Sequence, residues 1–268
     1  MRKRLTGRCL LMVTDGPFRR AHIIPHAFMR RVSDAPFMET DGQSRSQKRF
    51  TGWYDGTILG AEGEALIARY DTTAARYFVD RGLTYRTRRS PLDLNRIEDP
   101  LVPNQIYAMD EVDTNQLRLF ALSLLWRAAV STLEPFDKVV VSPAHLSDIA
   151  ARLRAGNAGD YRDYPVRFAV FDGAEELTKI APVNMREPPA VRFFLDGVVC
   201  YVCPRRRWRK VEEFGGLITG YEPNAITMMC YSSAQSWHHE MTTGMLRETH
   251  AREGDVFAGF RDDRLVTA

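Results

Sequence analysis

One short segment, His22-Ile23-Ile24-Pro25-His26, constrains the fold of this chain more than any other. Two short strands are predicted between residues 5 and 25, around a turn at Asp15-Gly16-Pro17. The polar composition of residues 32–52 predicts a long mobile loop. A further strand is predicted over residues 53–59. The loop before it would bring the histidine segment close to this strand and to the element that follows it in the chain.

A helix is predicted over residues 62–81, because apolar side chains recur there at spacings of three and four. These side chains are Leu66, Ile67, Tyr70, Ala74, Tyr77 and Phe78. Gly82 is expected to end the helix. The first 82 residues are therefore predicted to have the element order strand, loop, strand, helix.

The segment and its flanks resemble the HNH, or ββα-metal, nucleases and a group of bacterial and phage proteins built around C-x-x-C, His-Ile-Ile-Pro and C-x-x-C-Glu. In that group the two cysteine pairs hold a structural zinc ion. Here the four positions are Cys9, Met12, Gly60 and Gly63. Only the first carries a thiol, so we expect no structural zinc, and we expect Met12, Leu59 and Leu66 to pack together in its place.

The resemblance also implies a catalytic site that uses a divalent metal, Mg²⁺ or Mn²⁺. It makes His22 the general base, with His26 as a second candidate. Glu64 and Asp71 are the candidate metal ligands; they share a helix face but lie about 10 Å apart along the axis, so only one of them is expected to bind a given ion with a histidine. Ala21 offers no donor atom where many family members have Asp or Glu, and residues 53–82 contain no Asn or His.

The rest of the chain predicts a second region. Residues 83–112 are interpreted as a connecting segment, and Asp113 or Thr114 is expected to cap a helix that is apolar nearly all round. Ser142-Pro143 predicts the start of a helix that ends near Gly156. Strands are predicted over residues 166–171, 191–195, 198–202, 216–218 and 226–231, with a hairpin turn at Asp196-Gly197.

The expected fold class is α+β. An HNH-like ββα module without structural zinc would occupy residues 1–82, and a helical core with an antiparallel β region would occupy residues 113–268.

One basic run is a candidate for binding nucleic acid: Arg205, Arg206, Arg207, Trp208, Arg209 and Lys210. Five cations would contact phosphates while the indole stacks on a base; the alternative is a solvated loop, and Glu212-Glu213 dilutes its charge. Cys200 and Cys203 have the spacing of a zinc knuckle but are more simply buried thiols, because positions i and i+3 of a strand face opposite ways. Trp237-His238-His239-Glu240 is interpreted as a loop.

Composition limits the remaining possibilities. A net charge of +3 and a pI near 8.7 are compatible with binding DNA without requiring it. Four cysteines do not form a disulfide framework, no signal peptide is recognisable, and the most apolar segment is interrupted by Arg118 and Arg127. These features favour a cytoplasmic protein that does not span a membrane.

Two functions are compatible with the sequence. The first is a metal-dependent endonuclease that hydrolyses phosphodiester bonds of DNA. The second is a catalytically inactive protein that uses the same scaffold to bind nucleic acid or a protein partner. Loss of the usual ligands favours the second, and retention of the complete His-Ile-Ile-Pro-His sequence favours the first.

Overall fold

The computed structural model describes residues 5–29, 37–40, 47–49, 51–88, 94–97, 105–172, 178–186, 188–211 and 216–232. Its strands, in chain order, are β1 (Thr6–Arg8), β2 (Asp15–Pro17), β3 (Ala21–His22), β4 (Phe37–Thr40), β5 (Gln47–Arg49), β6 (Tyr54–Asp55), β7 (Asn95–Ile97), β8 (Gln105–Asp110), β9 (Val166–Asp172), β10 (Thr178–Ile180), β11 (Val183–Met185), β12 (Ala190–Leu195), β13 (Val198–Val202) and β14 (Ala225–Ser232). The α-helices of this part are α1 (Ala61–Phe78), α2 (Thr114–Val130) and α3 (Pro143–Ala155). The α+β class is confirmed.

The largest sheet of the described residues has seven strands, all of them after residue 94, in the order β11-β12-β13-β9-β14-β8-β7. Its neighbours are antiparallel except for β14 and β9, which are parallel. The sheet is therefore mixed rather than purely antiparallel as expected. A parallel pair needs a long crossover, and the chain between β9 and β14 supplies one while it builds the β11 to β13 strands.

The helices begin and end where their sequence signals are. The carboxylate of Asp113 accepts the backbone N–H of Gln116 at 3.0 Å and caps α2, and the hydroxyl of Ser142 accepts from His145 at 3.3 Å and caps α3. Gly156 ends α3 in the left-handed conformation, with a φ of 65°. The predicted helix ends were confirmed here, whereas α1 ends at Phe78, earlier than residue 81.

Helix α2 lies at the centre of the fold. It contacts α1, α3 and the β13 strand, and nearly all of its side chains are buried, including those of Arg118 and Arg127. One continuous core contains side chains of the N-terminal elements, the three helices and one face of the sheet. A smaller cluster lies on the other sheet face, around Phe171, Phe194 and Tyr201.

Several local predictions were wrong. Asp15-Gly16-Pro17 is not a turn but the strand β2, paired with β1, because the reversal is made by residues 9–13. Strands β4 and β5 lie within the predicted loop over residues 32–52, and β7 and β8 within the predicted connecting segment. Residues 216–218 form no strand. Of the strand predicted over residues 53–59 only Tyr54–Asp55 forms. The predicted strands over residues 166–171, 191–195, 198–202 and 226–231 and the Asp196-Gly197 turn, with φ values of 55° and 89°, were confirmed.

In the part of the chain that the structure describes, no helix is both long enough and apolar enough to cross a membrane.

Candidate functional site

The four positions that carry zinc ligands in the resembling proteins converge in space. Cys9 lies in the reversal between β1 and β2, where its sulfur accepts the backbone N–H of Met12 at 3.4 Å. Gly60 and Gly63 lie at the start of α1. A Cβ atom added at Gly63 would lie 3.0 Å from the Cys9 sulfur and 3.6 Å from Cγ of Met12, and one added at Gly60 would lie 3.4 Å from Cβ of Cys9. The reversal and the helix start thus face each other across Cys9.

These residues do not fit a zinc ion. Cys9 supplies one thiol, Met12 a thioether, and the two glycines have no donor atom, whereas structural zinc takes four such ligands. Apolar packing fills the position instead: Cδ2 of Leu59 lies 3.0 Å from the position of a Cβ at Gly63. Leu59 is fully buried, while Met12 and Leu66 are partly buried against the same core.

Hydrogen bonds hold the reversal in place as well. The guanidinium of Arg154, on α3, donates to the carbonyl of Leu11 at 2.7 Å. The backbone N–H of Leu10 donates to the carbonyl of Ile58 at 3.0 Å. The second region of the chain therefore helps to hold this turn through Arg154.

His22 lies on β3, which pairs with β6 so that His22 is opposite Tyr54. Its half-buried ring lies 5.9 Å from the ring of His26 and 6.3 Å from that of Tyr54, measured between centroids. Burial lowers the pKa of His22, and the positive charges of His26, Arg127 and Arg20 lower it further. The imidazole is therefore neutral at pH 7, the state that a general base requires.

Two exposed basic side chains flank His22. His26 begins a short 3₁₀ turn directly after Pro25 and is exposed. The guanidinium carbon of Arg20 lies 3.6 Å from the centroid of the Tyr54 ring, in a cation–π contact. Arg20 therefore brings a positive charge close to the His22 imidazole.

Asp71, one candidate metal ligand, is held in an ion pair. Its two carboxylate oxygens accept from Nη2 and Nη1 of Arg127 at 2.8 and 3.0 Å. The Arg127 side chain is 1% exposed and that of Asp71 is 18% exposed. A cation at Asp71 would have to compete with this bidentate contact.

Glu64, the other candidate ligand, is different. One carboxylate oxygen, Oε2, is buried and has no hydrogen-bond partner among the described residues. Burial raises the pKa of Glu64, Arg127 opposes that rise and Asp71 adds to it. A buried acceptor without a donor suits a cation better than does a carboxylate whose oxygens are both occupied.

Over the described ranges, no group of three or more His, Cys, Asp and Glu side chains is arranged to hold a metal ion. A divalent ion at Glu64 would therefore depend on oxygens of water and of a bound phosphate for much of its coordination, as Mg²⁺ commonly does.

The basic run Arg205–Lys210 follows β13. Arg206 and Arg207 place their Nε atoms 3.0 and 3.6 Å from Oδ1 of the buried Asp163, which also binds Arg152 at 2.9 Å. All five cations are exposed, and Arg206 and Arg207 are partly neutralised by Asp163.

Trp208 is half-buried. Its indole lines a narrow slot with Pro165, Pro188, Tyr201 and Ile218. Part of the indole surface is therefore occupied by packing against the protein. The run follows β13 of the seven-stranded sheet, whereas His22 lies on the separate two-stranded sheet of β3 and β6.

The other sequence candidates are thiols and a loop. Cys200 and Cys203 are both buried and free, and burial raises the pKa of each thiol. Glu212-Glu213 and the segment Trp237-His238-His239-Glu240 lie outside the described residues.

Sequence reasoning missed the importance of Arg127, which was treated only as an interruption of an apolar helix. A signal was present, because a charged residue within a helix that is buried all round requires a partner of opposite charge. The pattern could not identify that partner, which is 56 residues away in the chain.

Comparison of the chain with models of known protein families, with curated proteins and with solved structures gives no match.

Proposed function

We propose that this chain is an HNH-like, nucleic-acid-associated protein whose His22 region hydrolyses phosphodiester bonds of DNA. The observation that carries the proposal is the state of His22: a half-buried imidazole on a short strand, with a lowered pKa and with the exposed side chains of Arg20 and His26 nearby. The resemblance places zinc ligands at four positions of this chain, and these positions lie together around Cys9. This arrangement supports the proposal that the protein is HNH-like.

In this mechanism His22 takes a proton from water, because its imidazole is neutral at the working pH. Arg20, exposed and stacked on Tyr54, contacts the phosphate. Glu64 would hold Mg²⁺ or Mn²⁺ with its unpartnered oxygen. When bound, such an ion polarises the scissile phosphate and stabilises the leaving oxygen.

The basic run Arg205–Lys210 contributes binding rather than chemistry. Arg205, Arg209 and Lys210 would contact backbone phosphates, and the exposed part of Trp208 would stack on a base. Arg206 and Arg207 are bound to Asp163 and would mainly fix the shape of the run. The four free, buried cysteines are consistent with a cytoplasmic location.

The second candidate is a catalytically inactive protein that binds nucleic acid or another protein. One observation favours it: Asp71 is occupied by Arg127, and Ala21 has no donor atom, so the described residues provide few ligands for a cation.

A cleavage assay with plasmid and single-stranded DNA distinguishes the two. We expect cleavage that requires Mg²⁺ or Mn²⁺, stops with EDTA and falls by about 10²–10⁴-fold in His22→Ala, the usual effect of removing a general base. His26→Ala should have a smaller effect. The matched control is His145→Ala on α3, which should cleave like the wild type.

The two proposed functions predict different results in this assay. Cleavage that survives His22→Ala would remove His22 from the mechanism. An absence of cleavage with every metal tested, combined with retained DNA binding, would favour the inactive binding protein.

A further inference from the structure

Arg127 has a complete set of hydrogen-bond partners, which is unusual for a side chain with five donor hydrogens. Its Nε donates to the carbonyl of Ser123 at 3.2 Å, and Nη2 donates to the Ser123 hydroxyl at 3.2 Å and to Asp71 at 2.8 Å. Its Nη1 donates to Asp71 at 3.0 Å and to the carbonyl of His22 at 2.7 Å. The guanidinium is therefore fixed in position and direction.

The last of these bonds acts on a short strand. Strand β3 is two residues long and, within the described residues, pairs with the equally short β6, while its neighbours Ala21, Ile23 and Ile24 are buried in the core. The next backbone contact is from the N–H of Ile23 to the carbonyl of Trp53, at 3.0 Å. The peptide that follows His22 is thus held at both ends, its N–H by Trp53 and its carbonyl by the fixed donor of Arg127, and this restrains the direction of the His22 side chain.

We propose that Arg127 is the positioning residue for His22. Asp71 and Ser123 hold the guanidinium, and the guanidinium holds the His22 carbonyl. Asp71 then acts through Arg127 and not as a metal ligand. The catalytic consequence of this arrangement rests on the proposed hydrolytic function, but the geometric claim does not.

The first experiment measures the environment of the imidazole directly. The NMR resonances of the His22 ring are recorded in the wild type and in Arg127→Lys, which keeps the charge but loses the planar fork that reaches several acceptors at once. We expect these resonances to shift, while those of the His145 ring stay unchanged.

The matched control is Arg154→Lys. Arg154 also extends from a helix of the second region to a backbone carbonyl of the N-terminal elements, that of Leu11. It should leave the His22 resonances unchanged. If Arg127→Lys also leaves them unchanged, or if Arg154→Lys shifts them equally, Arg127 does not position His22.

A second variant covers the case in which Arg127→Lys does not fold. Ser123→Ala removes one acceptor from the guanidinium and preserves the ion pair with Asp71. It should shift the His22 ring resonances in the same direction by a smaller amount. Unchanged resonances in this folded variant would contradict the proposal.

The activity measurement is made separately. In an active enzyme, Arg127→Lys should lower kcat by about 10²-fold, the effect of a small misplacement of a reacting group, with little change in KM. An unchanged kcat would overturn the positioning role. If the wild type cleaves nothing, the proposed hydrolysis fails, and the NMR comparison still decides whether Arg127 positions His22.

Discussion

The carboxylate of Glu64, which has one buried oxygen, lowers the free energy of unfolding of the protein. Its Oε2 has no hydrogen-bond partner among the described residues, and burial is the main reason that its pKa is raised. A raised pKa means that the folded protein prefers the neutral acid more strongly than the unfolded chain does. The ionised form therefore destabilises the folded state, increasingly as the pH rises from the ordinary Glu pKa through the raised one.

Glu64→Gln should therefore stabilise the protein at neutral pH. We expect a gain of roughly 1 kcal/mol in the free energy of unfolding, at the low end of the cost of an unpaired buried polar group. The gain should shrink as the pH is lowered toward 4.5, because the carboxyl group is then neutral in the folded wild type. Urea unfolding at pH 7.5 and pH 4.5 measures both values.

Glu62→Gln is the matched control, because Glu62 is also in the first turn of α1 but is exposed. Both changes remove a negative charge from the same helix N-terminus, where such a charge is favourable. Glu62→Gln should therefore be neutral or slightly destabilising. An equal stabilisation by both substitutions would show that burial of Glu64 is not the cause.

At the scale of elements, the sequence predicted the helix ends and turns that depend on residues close together in the chain. The caps at Asp113 and Ser142 and the turn at Asp196-Gly197 each depend on residues within one or two turns of backbone, and each was confirmed.

Elements that depend on distant partners were not predictable. Strands β1 and β2 are three residues long, and the turn residues Asp15-Gly16-Pro17 form one of them because the 9–13 reversal takes the bend. Strand β8 joins the sheet through pairing with β14, more than a hundred residues later. The ion pair between Asp71 and Arg127 is equally non-local, so a candidate metal ligand became part of a structural contact.

The positions Cys9, Met12, Gly60 and Gly63 should bind a metal ion when all four carry a cysteine. The triple substitution Met12→Cys, Gly60→Cys and Gly63→Cys would place four thiols on the reversal and the helix start, as a structural zinc site requires. We expect tight binding of Zn²⁺, and of Co²⁺ with the strong visible absorption of a tetrahedral thiolate site. Thermal stability should rise when either ion is added.

The new Cβ at Gly63 would lie 3.0 Å from the Cys9 sulfur and from Cδ2 of Leu59, so these two side-chain ends must shift. The variant without metal should therefore be less stable than the wild type. The control is the same triple variant with Cys9→Ser, which should bind Co²⁺ much more weakly. Equal binding by both would mean that the four positions do not form one site.

At the scale of the whole molecule, the N-terminal elements and the second region share one core. Side chains of both contribute to it, and polar contacts cross between them: Arg127 to His22, Arg154 to Leu11, and the hydroxyl of Tyr70 to the carbonyl of Leu153 at 2.6 Å. The His22 region is thus supported by α2 and α3.

Charge is the other property of the whole molecule that bears on function. The net charge is only +3, so the overall field is weak and any binding of DNA must depend on local clusters of cations. Arg205 and Arg209 are exposed members of the basic run. Arg206 and Arg207 are partly neutralised by Asp163.

The double substitution Arg205→Gln and Arg209→Gln should weaken binding of duplex DNA and reduce its dependence on salt. Each phosphate contact that is lost lowers the slope of log Kd against log salt by about 1, so the slope should fall by about 2. The matched control is Arg96→Gln with Arg186→Gln, exposed arginines on or next to the strands at the two edges of the sheet. Fluorescence anisotropy with a labelled duplex at several salt concentrations gives both slopes. If the two double variants lose the same amount of slope, the run Arg205–Lys210 is a solvated loop and any contact with DNA is spread over the surface.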